Sequence, residues 1–390
     1  MKKTAYVGCL GIIAMLTTEF GIIGLIPSIA VYYHISVASA GQLISLFALT
    51  IAVTGPLVTL FTSTLERRKL AICCLVVFLI SNLLCLTAPA FPLLMMFRVL
   101  PAFFHPVYFA TALGMVTENE SPELGRKWMA VVLGGINIAM ISTIPFCTYI
   151  GTHFQWQYSY IVQAVMSLLA LMAIAVFFPH NTFRKVSSYR GQLNILVKPS
   201  YLVASLTILL TTAAWFCTYS YFAGYLLAKL QVKPAAIGGL QLILGLSGVV
   251  ANILSAGFIG RRLFTSALIS LLGTLLIALG FSLTGPHLLP NILIMMLWGT
   301  TYGPTFIIGS ALATDAAPEA VEFANSVAAA VTNLGITLGT IAGAFVIDHY
   351  GVLYLTLIGA GLGILALCSL GILFKLKFTA SRAFSRIMQP

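Results

Sequence analysis

A carboxylate lies deep inside an apolar stretch near the start of the chain, in the run Thr17-Thr18-Glu19-Phe20. A charged side chain in the middle of a membrane-spanning helix costs about 3 kcal/mol on insertion scales, so such residues are usually functional. Burial also disfavours the charged form of a carboxyl group. We therefore expect Glu19 to bind and release a proton. The alternative is a neutral side chain that hydrogen-bonds for helix packing.

Arg98 and His105 lie seven residues apart in another apolar stretch. On a helix this spacing puts both side chains on one face. An imidazole titrates near neutral pH, so we expect His105 to tune the proton on Glu19. Arg98 is expected to supply a fixed charge for substrate or helix pairing. The alternatives are a hydrogen-bonded interior imidazole and an arginine that only ties helices together.

An aromatic face follows in the second half of the chain. Trp215, Tyr219 and Phe222 recur at i, i+4 and i+7, which places them on one side of a helix. Rings with polar edges suit stacking on a sugar or a purine base, although such rings also form belts at the membrane interface. Six further side chains are candidates for solute binding, each with helix packing as its alternative: Gln42, Asn137, Gln241, Trp298, Tyr302 and Asn333.

The elements that carry these residues are predicted to be membrane helices. Of the 390 residues, 60% are hydrophobic and only 7% are charged, against about 25% charged residues in soluble domains. The net charge of +11 comes from basic residues scattered between apolar stretches, without the basic face that binding to a nucleic acid needs. We therefore predict an all-α membrane protein that contacts the lipid bilayer and no nucleic acid.

Twelve stretches are long and apolar enough to cross the hydrocarbon core, which needs about 20 residues for each helix. They cover roughly residues 5–31, 39–62, 69–87, 91–116, 127–150, 157–178, 200–228, 235–258, 264–283, 287–313, 322–346 and 351–374. The longest connection divides them into six and six. We therefore predict an N-terminal six-helix bundle at 1–178, a cytoplasmic linker at 179–199 and a C-terminal six-helix bundle at 200–390.

Basic residues predict the orientation of the spans. Seventeen of the 20 Lys and Arg residues lie in one set of alternate loops. The other set holds only Lys229 and Lys233, and Arg98 lies within a span. Because loops rich in Lys and Arg stay in the cytoplasm, both termini and the linker are expected there.

The two halves of the chain also repeat. Asn137 lies 15 residues after Pro122, and Asn333 lies 15 residues after Pro318, at an offset of 196 residues. Duplicated six-helix halves place a solute site between them, near the middle of the membrane.

A stripe of small residues marks one late span. Gly335, Gly339 and Gly343 recur every four residues, in the pattern G-x-x-x-G-x-x-x-G. Such stripes let two membrane helices approach closely, so we expect a packing role for these glycines rather than a role in binding.

Several short motifs carry a family resemblance. They are Thr17-Thr18-Glu19-Phe20 with Gly24 and Pro27, Ser39-Ala40-Gly41-Gln42-Leu43, Gly55-Pro56-Leu57, Leu65-Glu66-Arg67-Arg68-Lys69-Leu70, and Arg98. Through them the chain resembles a major facilitator transporter of the drug:proton antiporter group, in the branch of bacterial sugar and purine exporters. The resemblance implies the major facilitator fold, with twelve transmembrane helices in two pseudo-symmetric six-helix bundles. It also implies a monomer in the bacterial inner (plasma) membrane, gated on the cytoplasmic side by Glu66, Arg67 and Arg68.

Together these features predict a secondary active transporter that exports a sugar, purine base or nucleoside in exchange for a proton, by alternating access. A multidrug efflux antiporter, an uptake symporter and a non-transporting membrane receptor or enzyme are the alternatives. The sequence has no H-E-x-x-H, G-x-x-x-x-G-K-[ST] or G-x-S-x-G motif, so we expect no enzyme activity. We expect no metal or cofactor either, because the seven cysteines lie in apolar stretches without a C-x-x-C pair.

Overall fold

A computed structural model describes residues 2–62, 65–117, 121–178 and 193–387. Within these ranges the regular elements are helices, joined by short turns, and no strand occurs. The α-helices are α1 (Lys2–Phe20), α2 (Ile26–Tyr33), α3 (Val37–Phe61), α4 (Arg67–Leu86), α5 (Phe91–Thr117), α6 (Pro122–Ile141), α7 (Thr143–His153), α8 (Ser159–Phe177), α9 (Pro199–Tyr219), α10 (Phe222–Leu230), α11 (Ile237–Arg261), α12 (Leu263–Leu283), α13 (Leu288–Tyr302), α14 (Thr305–Ala316), α15 (Val321–His349) and α16 (Leu355–Ile387).

These helices form twelve membrane-spanning segments in the described part of the chain, which confirms the predicted all-α membrane architecture. Four spans consist of two helices each: span 1 of α1 and α2, span 5 of α6 and α7, span 7 of α9 and α10, and span 10 of α13 and α14. The other eight spans are single helices: span 2 is α3, span 3 is α4, span 4 is α5, span 6 is α8, span 8 is α11, span 9 is α12, span 11 is α15 and span 12 is α16. Most of the predicted linker at 179–199 lies outside the described residues; the part that is described, Leu193–Val197, forms a 3-10 helix.

The interruptions in the spans have local causes. In span 1 the chain passes through a short 3-10 turn, Ile23–Leu25, and Pro27 then occupies the first turn of α2. In span 10 the break falls at Gly303 and Pro304, where the proline lacks the N–H that a continuous helix would need. Such breaks leave backbone carbonyls without their usual partners inside the helix.

The glycine stripe of α15 does bring two helices together. A Cβ atom at Gly335 would lie 2.8 Å from the carbonyl oxygen of Leu209, and one at Gly343 would lie 2.6 Å from that of Cys217. Gly339 faces the carbonyl of Ala213 in the same way. Spans 7 and 11 therefore touch along their backbones, which confirms the packing role expected for these residues.

The first eight and the last eight α-helices form two halves that meet along two pairs of spans. Span 2 packs against span 11, and span 5 packs against span 8. Because the number of spans is even, α1 begins and α16 ends on the same side of the membrane. We call this side the terminal face and the other side the opposite face. Near the opposite face α2 contacts α10, and α7 contacts α11.

Candidate functional site

Glu19 lies near the end of α1, one residue before the helix stops. Its Oε2 is 3.0 Å from Nε2 of His105 on α5, an ion-pair distance, although the two groups are not aligned for a hydrogen bond. The two residues are 6% and 8% exposed. The structure therefore brings together the two titratable side chains that the sequence singled out for proton exchange.

The hydrogen bonds of Arg98 go to backbone carbonyl groups rather than to the Glu19 carboxylate. Its guanidinium donates to the backbone carbonyls of Thr18 at 3.1 Å, Glu19 at 2.9 Å and Leu43 at 3.4 Å. It is 1% exposed. The side chain thus ties spans 1, 2 and 4 together and satisfies carbonyls at the end of α1, and it holds a positive charge next to the backbone of Glu19.

Phe47 contacts both of these basic side chains, although no pattern in the sequence distinguishes it from other apolar residues of the span. Its ring centroid is 5.4 Å from the guanidinium carbon of Arg98 and 6.3 Å from the imidazole of His105, at an angle of 86°. The imidazole also stacks on Phe109 at 6.5 Å. Aromatic contacts on two sides therefore restrict the orientation in which His105 can meet Glu19.

Across the boundary between the halves, aromatic residues of spans 7 and 10 form what we call the aromatic wall: Trp215, Tyr219, Phe222, Trp298 and Tyr302. Trp215 stacks on Trp298 with centroids 6.5 Å apart and an interplanar angle of 15°. The ring centroid of Tyr219 lies 5.3 Å from that of Tyr302, and the ring centroid of Phe222 lies 5.8 Å from that of Trp298. All five are buried, so the structure brings the predicted aromatic face of span 7 together with two further candidates.

The aromatic wall carries polar atoms that the protein does not satisfy. Among the described residues, neither Nε1 of Trp215 nor the hydroxyl of Tyr302 has a hydrogen-bond partner, although both atoms are buried. Each such atom costs about 1–3 kcal/mol when it stays unsatisfied. The ring of Phe216 lies 6.1 Å from that of Tyr302 and 5.9 Å from that of Phe20, the residue after Glu19, so the wall adjoins the end of α1 in the other half. A polar ligand at this boundary would satisfy both groups.

Two of the predicted amide side chains join the halves instead of standing free. Thr148 Oγ1 donates to Oε1 of Gln241 at 2.7 Å, and Asn252 Nδ2 donates to Oδ1 of Asn137 at 3.0 Å. Both bonds connect span 5 to span 8. The sequence did not identify Thr148 or Asn252, because small polar residues are common in membrane helices and neither has a distinctive spacing.

Two other candidates do not join the aromatic wall through any contact that the structure shows. Gln42 is exposed on α3. Asn333 donates from Nδ2 to the carbonyl of Ala329 in its own helix at 3.0 Å. Their roles in solute binding stay predictions from the sequence.

The candidate gating residues contact their own half. Glu66 pairs with Lys69 at 3.0 Å, and Arg68 donates to the carbonyl of Ala175 on α8. Arg67 is 4% exposed. These contacts hold the turn before α4 against span 6, and the gating role itself stays a prediction.

Two ion pairs lie on the terminal face of the second half. Lys198 Nζ is 2.9 Å from Oε1 of Glu319, and its hydrogen bond lowers the pKa of that carboxyl group. Lys377 pairs with Asp315. Within the described ranges, no group of three His, Cys, Asp or Glu side chains could hold a metal ion. Among the described residues, the buried charged or imidazole side chains are Glu19, Arg67, Arg98 and His105, and Glu19, Arg98 and His105 form one cluster.

Comparison with known proteins places the chain in a family. The sequence profile described as Major Facilitator Superfamily matches residues 8–321. The chain is also 28% identical over 339 residues to the inner membrane transport protein YdhP of Escherichia coli strain K12, covering 85% of each chain.

Solved structures show the same fold. A nucleoside transporter, NupG, matches with a TM-score of 0.77 over 96% of this chain and 100% of its own, at 14% identity. The human organic anion transporter MFSD10 (TETRAN) matches with a TM-score of 0.69 over 95% of this chain and 99% of its own, also at 14% identity. At this level of identity the likeness concerns the fold alone.

Proposed function

The chain belongs to the major facilitator superfamily of membrane transporters, and from that premise we propose that it exports a small polar solute in exchange for a proton. The solute class we propose is a sugar, a purine base or a nucleoside. Transport would proceed by alternating access, in which the two halves rock about a site between them. The chain would act as a monomer.

The observation that carries this proposal is the position of Glu19. Its carboxylate is 3.0 Å from the imidazole of His105, both side chains are almost fully buried, and α1 ends one residue later. A buried carboxylate beside an imidazole offers two groups that can bind the transported proton. The helix break places this pair where the chain can change its conformation.

Exchange, rather than co-transport, is supported by the surroundings of the carboxylate. Phe20, the residue after Glu19, packs on Phe216 with ring centroids 5.9 Å apart, and Phe216 packs on Tyr302 of the aromatic wall at 6.1 Å, so a solute on that wall would lie near the end of α1 that carries Glu19. A solute that donates a hydrogen bond to the carboxylate competes with the proton for the same oxygen atoms. Two ligands that exclude each other at one site are carried in opposite directions by a carrier that changes face only when one of them is bound.

Export, as opposed to uptake, also depends on which face of the protein lies in the cytoplasm. We propose that the terminal face lies in the cytoplasm, because the alternation of loops in the sequence assigns seventeen of the 20 Lys and Arg residues to that side. The similarity to the inner membrane transport protein YdhP supports placement in a bacterial inner membrane. An uptake symporter would use the same residues but would require proton and solute to bind together.

Flux in proteoliposomes tests this function. Purified protein is reconstituted, a pH gradient is imposed, and the accumulation of D-xylose, hypoxanthine, adenosine and ethidium is followed. We expect the gradient to drive one of the three polar solutes, and a Glu19→Gln variant to lose this drive while still equilibrating the solute down its own gradient. The matched control is Glu123→Gln, which removes a carboxylate from an exposed position at the start of α6.

Three outcomes would contradict the proposal. Gradient-driven accumulation by Glu19→Gln at the parent's level would exclude its role in coupling. Accumulation only when solute and protons move in the same direction would indicate a symporter. Transport of ethidium with none of the polar solutes would indicate a multidrug exporter.

A further inference from the structure

Gln241 makes use of only one end of its amide. The residue lies near the start of α11, on the boundary between the halves, and is 1% exposed. Its Oε1 accepts a hydrogen bond from Thr148 Oγ1 of α7 at 2.7 Å. Its Nε2 is buried and has no hydrogen-bond partner among the described residues. Because an amide nitrogen can only donate, the side chain joins the halves at one end and offers a free donor at the other.

The bonded end lies where the halves close the opposite face. A Cβ atom at Gly245 would lie 2.6 Å from the carbonyl oxygen of Met140, and one at Gly238 would lie 3.2 Å from that of Pro145. Spans 5 and 8 are thus in backbone contact on both sides of the Thr148–Gln241 bond. Any opening of this face separates the two spans and must break that bond.

The Nε2 end of the Gln241 side chain lies near the aromatic wall. The hydroxyl of Tyr219 donates to Sδ of Met140 at 3.9 Å, and the carbonyl of Met140 faces Gly245, one turn after Gln241 on α11. The ring of Tyr219 in turn packs against that of Tyr302 with centroids 5.3 Å apart. Trp215 Nε1 and the Tyr302 hydroxyl are the other buried, unpartnered polar atoms there. An indole N–H, a phenol O–H and an amide N–H are all donors, so this side of the site is complementary to a solute that presents hydrogen-bond acceptors.

We propose that Gln241 is a latch that senses the solute. A solute with a carbonyl, ring-nitrogen or hydroxyl acceptor binds Nε2. The bound solute pulls the planar amide group of Gln241 toward the solute site, and this movement weakens the hydrogen bond between Oε1 and Thr148. Solute binding thereby loosens the closure of the opposite face, and a lipophilic cation without acceptors cannot do so. This inference rests on the proposed transport of a polar solute and is independent of proton coupling.

Two substitutions separate the two ends of the amide. Thr148→Val keeps the shape of the side chain and removes the bond to Oε1, together with the longer 3.4 Å contact of the same hydroxyl with the carbonyl of Ile144 in its own helix. Gln241→Ala removes both that bond and the free donor. Gln241→Glu keeps an acceptor for Thr148 but has no amide hydrogens, and it replaces the alanine variant if that variant does not fold.

Spin labels report the opening of the face. They are attached at two exposed positions: His153→Cys at the end of α7, and Lys233→Cys shortly before the start of α11. The two exposed native cysteines, Cys73 and Cys368, are replaced by serine, whereas the other five are buried and do not react. The distance between the labels is measured with increasing concentrations of an equimolar mixture of hypoxanthine, adenosine and D-xylose, and separately with ethidium.

We expect the mixture, but not ethidium, to increase the long-distance population in the parent. Thr148→Val should show that population without solute and respond to the mixture at a midpoint no higher than the parent's. Gln241→Ala should also be open without solute, but its midpoint should rise about tenfold, as expected from the loss of one hydrogen bond. The double variant should behave like Gln241→Ala, because both changes remove the same latch.

A parent that does not respond to the mixture, a Thr148→Val variant with the parent's distances, or a Gln241→Ala variant with the parent's midpoint would each overturn the proposal. Failure of the proposed proton exchange would instead appear in the proteoliposome flux assay. In that case Glu19→Gln would keep gradient-driven transport, while the label distances would still follow the pattern predicted here.

Discussion

Replacing Gly343 by alanine should destabilise the second half by separating spans 7 and 11. The added Cβ would lie 2.6 Å from the carbonyl oxygen of Cys217 and 2.8 Å from Cε2 of Tyr221. Ordinary contact between such atoms needs about 3.5 Å, so the two backbones must part by roughly 0.9 Å. Overpacking of this kind costs about 1–3 kcal/mol, partly offset by up to about 1 kcal/mol from the higher helix propensity of alanine.

The matched control is Gly371→Ala on α16, where no atom lies within 4 Å of a built Cβ. It receives the propensity gain without the overlap, so the two variants should differ by about 1–3 kcal/mol. Thermal unfolding in detergent, followed by circular dichroism, measures the difference. Equal unfolding temperatures for Gly343→Ala and Gly371→Ala would refute the claim that backbone contact sets the separation of these spans.

Three further predictions concern charged and titratable groups. Arg98→Met should lower the free energy of unfolding by roughly 2–4 kcal/mol, because hydrogen bonds from a charged donor contribute about 1.5–3 kcal/mol each and losing the buried charge recovers part of its desolvation cost. Arg98→Lys should lose less, and equal unfolding temperatures for the two would contradict the assigned contacts. His105→Asn should reduce transport driven by a pH gradient, because it removes the imidazole 3.0 Å from the Glu19 carboxylate, while the solute still equilibrates down its own gradient. Gradient-driven transport at the parent's level would exclude a role of His105 in coupling. Lys198 lowers the pKa of Glu319, so their pairing stabilises the fold above the ordinary carboxyl pKa of about 4.3 and is lost as the pH falls through the lowered value. Because both side chains are well exposed, Lys198→Met should change stability by less than about 1 kcal/mol, measured by thermal unfolding between about pH 3 and 7.

The twelve spans could be predicted because the signal is physical and strong. A bilayer requires about 20 apolar residues for each helix, and each predicted stretch overlaps one observed span. The breaks within spans were not predicted. Gly303-Pro304 is a recognisable breaker, and the interruption at Ser142 comes just before Pro145, which has no N–H to donate to the carbonyl of Ile141. Pro101 and Pro106, by contrast, lie inside the continuous helix α5, so a proline in the sequence does not by itself show whether a span is interrupted.

The candidate site could be predicted where helical periodicity determines the side of the helix on which a residue lies. Glu19 and His105 were selected as buried titratable groups, and Trp215, Tyr219 and Phe222 by their helical spacing; the structure places them in contact. The function of each residue stays a prediction, because contact alone does not establish transport.

Sequence spacing was less informative for the partners of these residues. Arg98 shares a face with His105, yet its guanidinium reaches backbone carbonyls of spans 1 and 2, which carry no residue-specific signal. Phe47 and Thr148 resemble many other side chains in apolar spans. Their importance follows from what lies across from them in space, which depends on how distant spans pack.

If solute and proton compete for the Glu19 carboxylate, solute binding must release protons into solution. Detergent-solubilised protein in weakly buffered solution near neutral pH is mixed with hypoxanthine, adenosine and D-xylose, and the pH change is recorded with an indicator dye. We expect the parent and Glu123→Gln to release protons when the mixture is added, and Glu19→Gln to release none. Equal release from Glu19→Gln, or proton uptake by the parent, would contradict it.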